Sequence, residues 1–185
     1  MTTLTIDREY LTNTLADLVR INSINPTLIP GGAGEREISG YLTQAMRQLG
    51  MIVAQHEPES DRISTVGLLR GSGGGKSLML NGHIDTVGVD YMPDPFSAEI
   101  RAGKLYGRGA YDMKGSIAAA LAAVKALRDA GQTLPGFTHQ PRSHRLFAGE
   151  TAPAFRQRNG NAYLAPARCP CARLGPTDRQ PHRHI

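Results

Sequence analysis

The chain has two cysteines, Cys169 and Cys171, and both lie near its end, so residues 1–136 contain none. A disulfide framework is excluded for that stretch, and nothing in it calls for an oxidising compartment. Long apolar runs are missing too. The longest, Ile117 to Val124, falls well short of the ~20 residues that a membrane-spanning helix needs. The opening MTTLTIDREY lacks a basic segment followed by an apolar one, so no secretory leader is read there and a cytoplasmic protein is expected.

An excess of positive charge is also absent from most of the chain, despite the net charge of +5. Residues 1–136 carry 13 Lys and Arg against 14 Asp and Glu, whereas residues 137–185 carry 8 Arg, no Lys and 2 acids. Clustered cations can bind nucleic acid non-specifically by releasing counterions from phosphates, which gives the alternative function of a non-catalytic fragment with a nucleic-acid-binding tail. The tail interleaves its Arg with 6 Pro and 4 His and has no amphipathic period. No specific nucleic-acid surface and no membrane partner is read from it. At 185 residues the chain is long enough for one packed domain.

Periodicity fills residues 1–136. Leu11, Leu15, Leu18 and Val19 form one face of a helix from about Asp7 to Arg20, and Asn25-Pro26 ends any helical path. Ile38, Tyr41, Leu42, Ala45, Met46 and Leu49 repeat the stripe in a second helix closed by Gly50. Met51 to Ala54, Ser64 to Leu69 and Ser77 to Asn81 read as strands. Phe96 to Ile100 and Lys104 to Tyr106 flank Ala102-Gly103 as a hairpin, and Lys114 to Ala130 forms a third helix that stops at Gly131. Alternating helices and strands predict an α/β domain, a mixed sheet flanked by helices, with ligands collecting beyond strand ends.

Chemistry gathers at two motifs, LNGHIDTV (residues 80–87) and GRGAYDMKG (residues 107–115). In extended chain, residues two apart face the same way, so His83 and Asp85 can touch at the end of the third strand. Neutral imidazole is a zinc ligand, and a carboxylate commonly receives its second ring N–H; this makes His83 a candidate ligand and Asp85 its orienter. Asp112 opens the third helix, where Gly107 and Gly109 permit a tight turn, and its two oxygens can bridge two divalent ions. Taken singly, a His-x-Asp is more often structural, and an Asp before a helix is more often an N-cap.

The ordered set LNGHIDTV, DPFSAEI, GKLYGRGAYDMKG and an Ala-rich helix resembles the zinc-dependent aminoacylase and carboxypeptidase superfamily, over residues 7 to 136. That superfamily includes acetylornithine deacetylase, succinyl-diaminopimelate desuccinylase and glutamate carboxypeptidase. The resemblance implies a zinc-exopeptidase-like catalytic domain that cleaves amide bonds of N-acyl amino acids or small peptides with metal-activated water. It implies two Zn²⁺ per site, with Co²⁺ able to substitute, and a homodimeric parent enzyme with an inserted lid domain. It also implies that His83 binds one metal, Asp85 is a catalytic residue behind it, Asp112 bridges both metals, and the Asp112–Met113 peptide is cis.

The resemblance further implies a Glu-Glu pair near Arg145 to Phe147, where this chain has no acid; Glu150, in FAGETAP, is the candidate general base that remains. The abrupt compositional change is what a shifted reading frame or a truncated gene produces. The expected organisation is therefore a partial catalytic domain over 1–136 and a disordered, non-native tail over 137–185, weakly metal-binding and inactive as it stands. Cys169, Cys171, His182 and His184 have the atoms of a zinc site but spacings tighter than usual zinc fingers. RGSGGGKS (residues 70–77) approaches a phosphate-loop pattern but precedes a strand rather than a helix, and reads as a turn. Arg108 is left between contacting substrate and pairing with solvent or a carboxylate.

Overall fold

A computed structural model of the protein describes residues 4–76, 78–134 and 161–164. Helix α1 (Arg8–Arg20) begins at Asp7, whose carboxylate accepts from the backbone N–H of Tyr10, and it carries Glu9 and Arg20 at the ends that suit the helix dipole. Its buried residues are Thr14, Ala16, Leu18 and Val19, with Leu11 and Leu15 packed at the margin of the core. Helix α2 (Arg36–Gln48) buries Ile38, Ser39, Leu42, Ala45 and Met46. Helix α3 (Gly115–Asp129) buries Ile117, Ala118, Leu121, Ala122 and Ala126. Leu18, Ile38, Leu42, Met46, Ile84 and Leu121 form one contiguous core that ties the three helices to the segment after the third strand. No helix among the described residues is long and apolar enough to cross a membrane.

Strands β1 (Ile52–Glu59) and β2 (Arg62–Leu68) are an antiparallel pair, and β3 (Leu80–His83) lies in the same four-stranded sheet. β4 (Ile100–Arg101) and β5 (Lys104–Leu105) make a separate short hairpin around Ala102-Gly103, both at positive φ as such a two-residue turn requires. β1 runs further than its apolar residues indicate. It is the outer strand of the sheet, most of its residues are exposed, and its second half is polar, so hydrogen bonding to β2 extends it where hydrophobic alternation gives no sign.

One expectation is corrected. The third strand covers Leu80–His83 rather than Ser77 to Asn81, because its pairing partner offers four residues from His83 back to Leu80. Ser77 lies outside the described residues. Of residues 137–185 the structure describes Asn161–Leu164, which form β6 between β2 and β3, parallel to the former and antiparallel to the latter; the rest of the expected tail lies outside the described residues. Those facing strand edges carry backbone donors and acceptors that need partners, and a short β-prone NAYL segment supplies them. The sheet is therefore mixed, in the order β1-β2-β6-β3.

Candidate metal centre

His83 is the last residue of β3, and Asp112 sits in the wide turn Ala110–Lys114 that leads into α3. The turn starts from Gly109 at φ 79, where an added Cβ would lie 2.9 Å from Thr86 Cγ2, so a side chain here would be both strained and blocked. Within it the Asp112–Met113 peptide is cis, as the resemblance implies, and Met113 Sδ lies 3.3 Å from the backbone nitrogen of His83. The turn and the strand end are thus packed together. His83 Nε2 and Asp112 Oδ1 stand 2.9 Å apart across this junction.

The other ring nitrogen of His83, Nδ1, lies 3.0 Å from the backbone carbonyl of Asp85 and 3.5 Å from its Oδ1. A carbonyl can only accept, so Nδ1 carries the hydrogen, and a neutral ring then turns its Nε2 lone pair toward a carboxylate oxygen. Two lone pairs at this distance repel unless a positive centre joins them. Burial of the ring disfavours its charge, but the Asp85 carbonyl, the Asp112 carboxylate and the negative charge of both residues outweigh it, so His83 titrates above the ordinary histidine value. An imidazole nitrogen and a carboxylate oxygen facing one point are the donor types that suit a divalent ion such as zinc. Among the described residues no group of three or more His, Cys, Asp or Glu gathers to hold an ion, so these two are the donors this part of the chain offers.

Asp85 is 7% exposed and does not face the ring squarely. Its Oδ2 accepts from Asn25 Nδ2 at 2.7 Å and lies 3.6 Å from an amino nitrogen of Arg62. The second arm of Arg62 meets Glu35 Oε1 as an ion pair at 2.6 Å. Glu35 is fully buried; its Oε2 accepts from the backbone of Ile63, and burial pushes its carboxyl up to about 7 against the pull of Arg62. Sequence reasoning overlooked Asn25, Arg62 and Glu35, apart from Asn25-Pro26 as a helix stop. It also overlooked Lys114, which is buried, donates from Nζ to the carbonyl of Ile21, and is pushed down to about 8 by burial. Lys114 follows Asp112 within the motif, but polar residues in a motif read as surface until packing is known.

A cleft of about 510 Å³ opens over this junction, lined in part by His83, Asp85, Asp112, Arg108 and Tyr111. The Nε of Arg108 is buried and has no acceptor among the described residues. The RGSGGGKS segment contains bends, apart from the undescribed Ser77, and no helix follows it, in keeping with a turn. Glu150, Cys169, Cys171, His182 and His184 lie outside the described residues.

Comparison with known proteins finds relatives over part of the chain. Residues 79–139 match Peptidase family M20/M25/M40. A succinyl-diaminopimelate desuccinylase of Gluconacetobacter diazotrophicus is 41% identical over 124 residues, which are 65% of this chain and 30% of that protein. An N-formyl-4-amino-5-aminomethyl-2-methylpyrimidine deformylase of Halalkalibacterium halodurans is 34% identical over 128 residues, 66% of this chain and 30% of its own length. Human carnosine dipeptidase 1 shares the fold, with a TM-score of 0.50 at 20% identity over 85% of this chain and 31% of that one. The chain spans about 30% of the length of the curated relatives it matches. Over the portion it spans, the chain is similar to the M20 aminoacylase and peptidase superfamily.

Proposed function

We propose that this chain carries the amino-terminal part of a metal-dependent hydrolase that cleaves the amide bond of N-acyl amino acids or small peptides. The observation that carries this reading is the 2.9 Å approach of His83 Nε2 to Asp112 Oδ1, made by two segments 29 residues apart and set at the mouth of a cleft. In this reading His83 and Asp112 would hold divalent zinc, Asp112 as the carboxylate shared between ions, and Asp85 would orient the imidazole from behind. A bound divalent ion supplies Lewis acidity for a scissile carbonyl. The chain's own residues fix the ligating nitrogen, hold the bridging carboxylate at the turn, and wall the cleft that receives the acyl compound. Glu150 is the general base proposed from the sequence. The names of the relatives, a desuccinylase and a deformylase, support amide cleavage at a small acyl group.

Two donors hold an ion weakly, and we propose that the 185-residue chain by itself binds metal loosely and does not turn over. A Co²⁺ titration of the whole chain, followed through broadening of the His83 ring signals, tests the reading. Saturable broadening is expected, with the apparent affinity weakened at least tenfold in folded Asp112→Asn. Folded protein whose His83 signals ignore Co²⁺ overturns it, and hydrolysis of N-acetylornithine or N-succinyl-diaminopimelate by this chain would overturn its inactivity.

A further inference from the structure

Behind the cleft lies a buried set of polar groups that ligand chemistry alone does not explain. Asn25 is 1% exposed and uses every polar group it has: its N–H donates to the carbonyl of Thr86 at 2.9 Å, its Oδ1 accepts from the N–H of Thr27 at 2.8 Å, its Nδ2 donates to Asp85 at 2.7 Å, and its carbonyl accepts from Leu28 and Ile29. The same strap is pinned through Ser23, whose hydroxyl donates to the carbonyl of Ile84 and whose carbonyl accepts from Thr86. Arg62 reaches Asp85 from β2 while its other arm lies against Glu35. Both contacts act on one oxygen, Asp85 Oδ2. Oδ1 and the Asp85 carbonyl are left on the side of His83 Nδ1.

Keeping a carboxylate buried with one hydrogen bond and one distant cation costs free energy, because each unmet lone pair gives up its hydration. The strap and the arginine gain the protein a single orientation of Asp85. With Oδ1 at 3.5 Å held beside the Asp85 carbonyl that accepts at 3.0 Å, His83 keeps an Nδ1–H donor and turns Nε2 toward Asp112.

We infer that Asn25 and Arg62 are positioning residues, which hold Asp85 so that His83 keeps one tautomer and presents Nε2 to the metal side of the cleft. The inference deepens the hydrolase reading, since it concerns the same histidine, but its signature is visible without metal or substrate.

The test is ¹⁵N NMR of the histidine rings in the whole metal-free chain, at a pH where the imidazole is neutral, with His83 assigned by the signals lost in His83→Gln. Wild type is expected to show the Nδ1–H form alone. Asn25→Ala removes one anchor. Arg62→Lys keeps a positive charge for Glu35, so the fold survives, but one nitrogen cannot reach both carboxylates. Each folded variant is expected to show a mixture of tautomers, with the Nδ1–H to Nε2–H ratio at least tenfold lower, while the control Arg36→Ala, on an exposed ion pair, leaves it unchanged. If Asn25→Ala does not fold, Arg62→Lys decides alone. Folded variants with the wild-type pattern overturn the inference. A tautomer that responds in a chain that ignores Co²⁺ keeps the positioning role and removes the hydrolase reading.

Discussion

The rear and the front of this site are built on different terms. At the rear, Glu35, Asn25 and Asp85 are buried, and their contacts come from α2, β2 and the Ser23–Thr27 strap. At the front, the Asp112 side chain is 80% exposed and Tyr111 is 96% exposed. A buried charge without its partner is a defect of the folded state, whereas an exposed one is already solvated and costs the fold nothing. The rear therefore belongs to stability, the front is the part proposed for ligand chemistry, and substitutions should separate the two.

The sharpest break is Arg62→Met. It leaves Glu35 and Asp85 buried without their cation, so a loss of about 3–5 kcal/mol is expected in urea unfolding at pH 8. The double variant Glu35→Gln/Arg62→Met should recover part of that loss, because a neutral amide replaces one of the two stranded carboxylates. A single substitution that unfolds no earlier than wild type would show that the rear contributes little.

The pH dependence follows from Glu35, whose carboxyl is raised from 4.5 to about 7, chiefly by burial. Between those values the folded protein holds a proton that the unfolded chain has released. Stability from this group is therefore present below about pH 4.5 and is lost as pH rises through about 7, by roughly 2–3 kcal/mol. Glu35→Gln should remove that slope. A difference curve between the two proteins that stays flat from pH 4.5 to 7 would contradict the assignment.

This division also explains what the sequence could and could not show. The stripes Leu11, Leu15, Leu18, Val19 and Ile38, Leu42, Ala45, Met46 were legible because each helix buries one face against a common core, and burial forces a 3.6-residue period. The meeting of His83 and Asp112 was legible because both stand in motifs with a strand end and a turn between them. The anchors behind them were not. Asn25 and Asp85 are 60 residues apart in sequence, and Arg62 meets Glu35 through the packing of β2 on α2. A polar residue in a sequence is assigned to the surface by default, and only tertiary contacts reverse that. β1 beyond Ala54 and the four residues of β6 were hidden for a related reason: backbone pairing, not side-chain pattern, makes them strands.

Between rear and front stands the Gly107–Gly109 turn. At Gly107, φ is 150, and an added Cβ would lie 2.3 Å from Val19 Cγ1 and 3.0 Å from the carbonyl of Pro95. Gly107→Ala should cost roughly 1–3 kcal/mol through that clash and displace the loop that carries Arg108 and Asp112. Gly131→Ala, at φ 62 with nothing within 4 Å, has only backbone strain to bear and should cost less. Equal losses in thermal unfolding would mean that the loop gives way freely and does not link the two regions.

The smallest expected effect on stability is at Asp112 itself. Asp112→Asn keeps the size of the side chain and removes its charge at a position 80% exposed, so unfolding in urea should shift by no more than about 0.5 kcal/mol. At a pH low enough to protonate His83, where its imidazolium donates to Asp112, the sign is a slight loss, because an amide oxygen is a weaker acceptor than a carboxylate. Affinity for Co²⁺ should fall at least tenfold in the same protein, since half of the donor set loses its charge. A residue that barely touches folding and strongly alters cation binding is a functional group held at the surface by its neighbours. The opposite outcome, a large loss of stability with unchanged Co²⁺ affinity, would place Asp112 with the rear as a structural carboxylate and leave His83 without a partner for an ion.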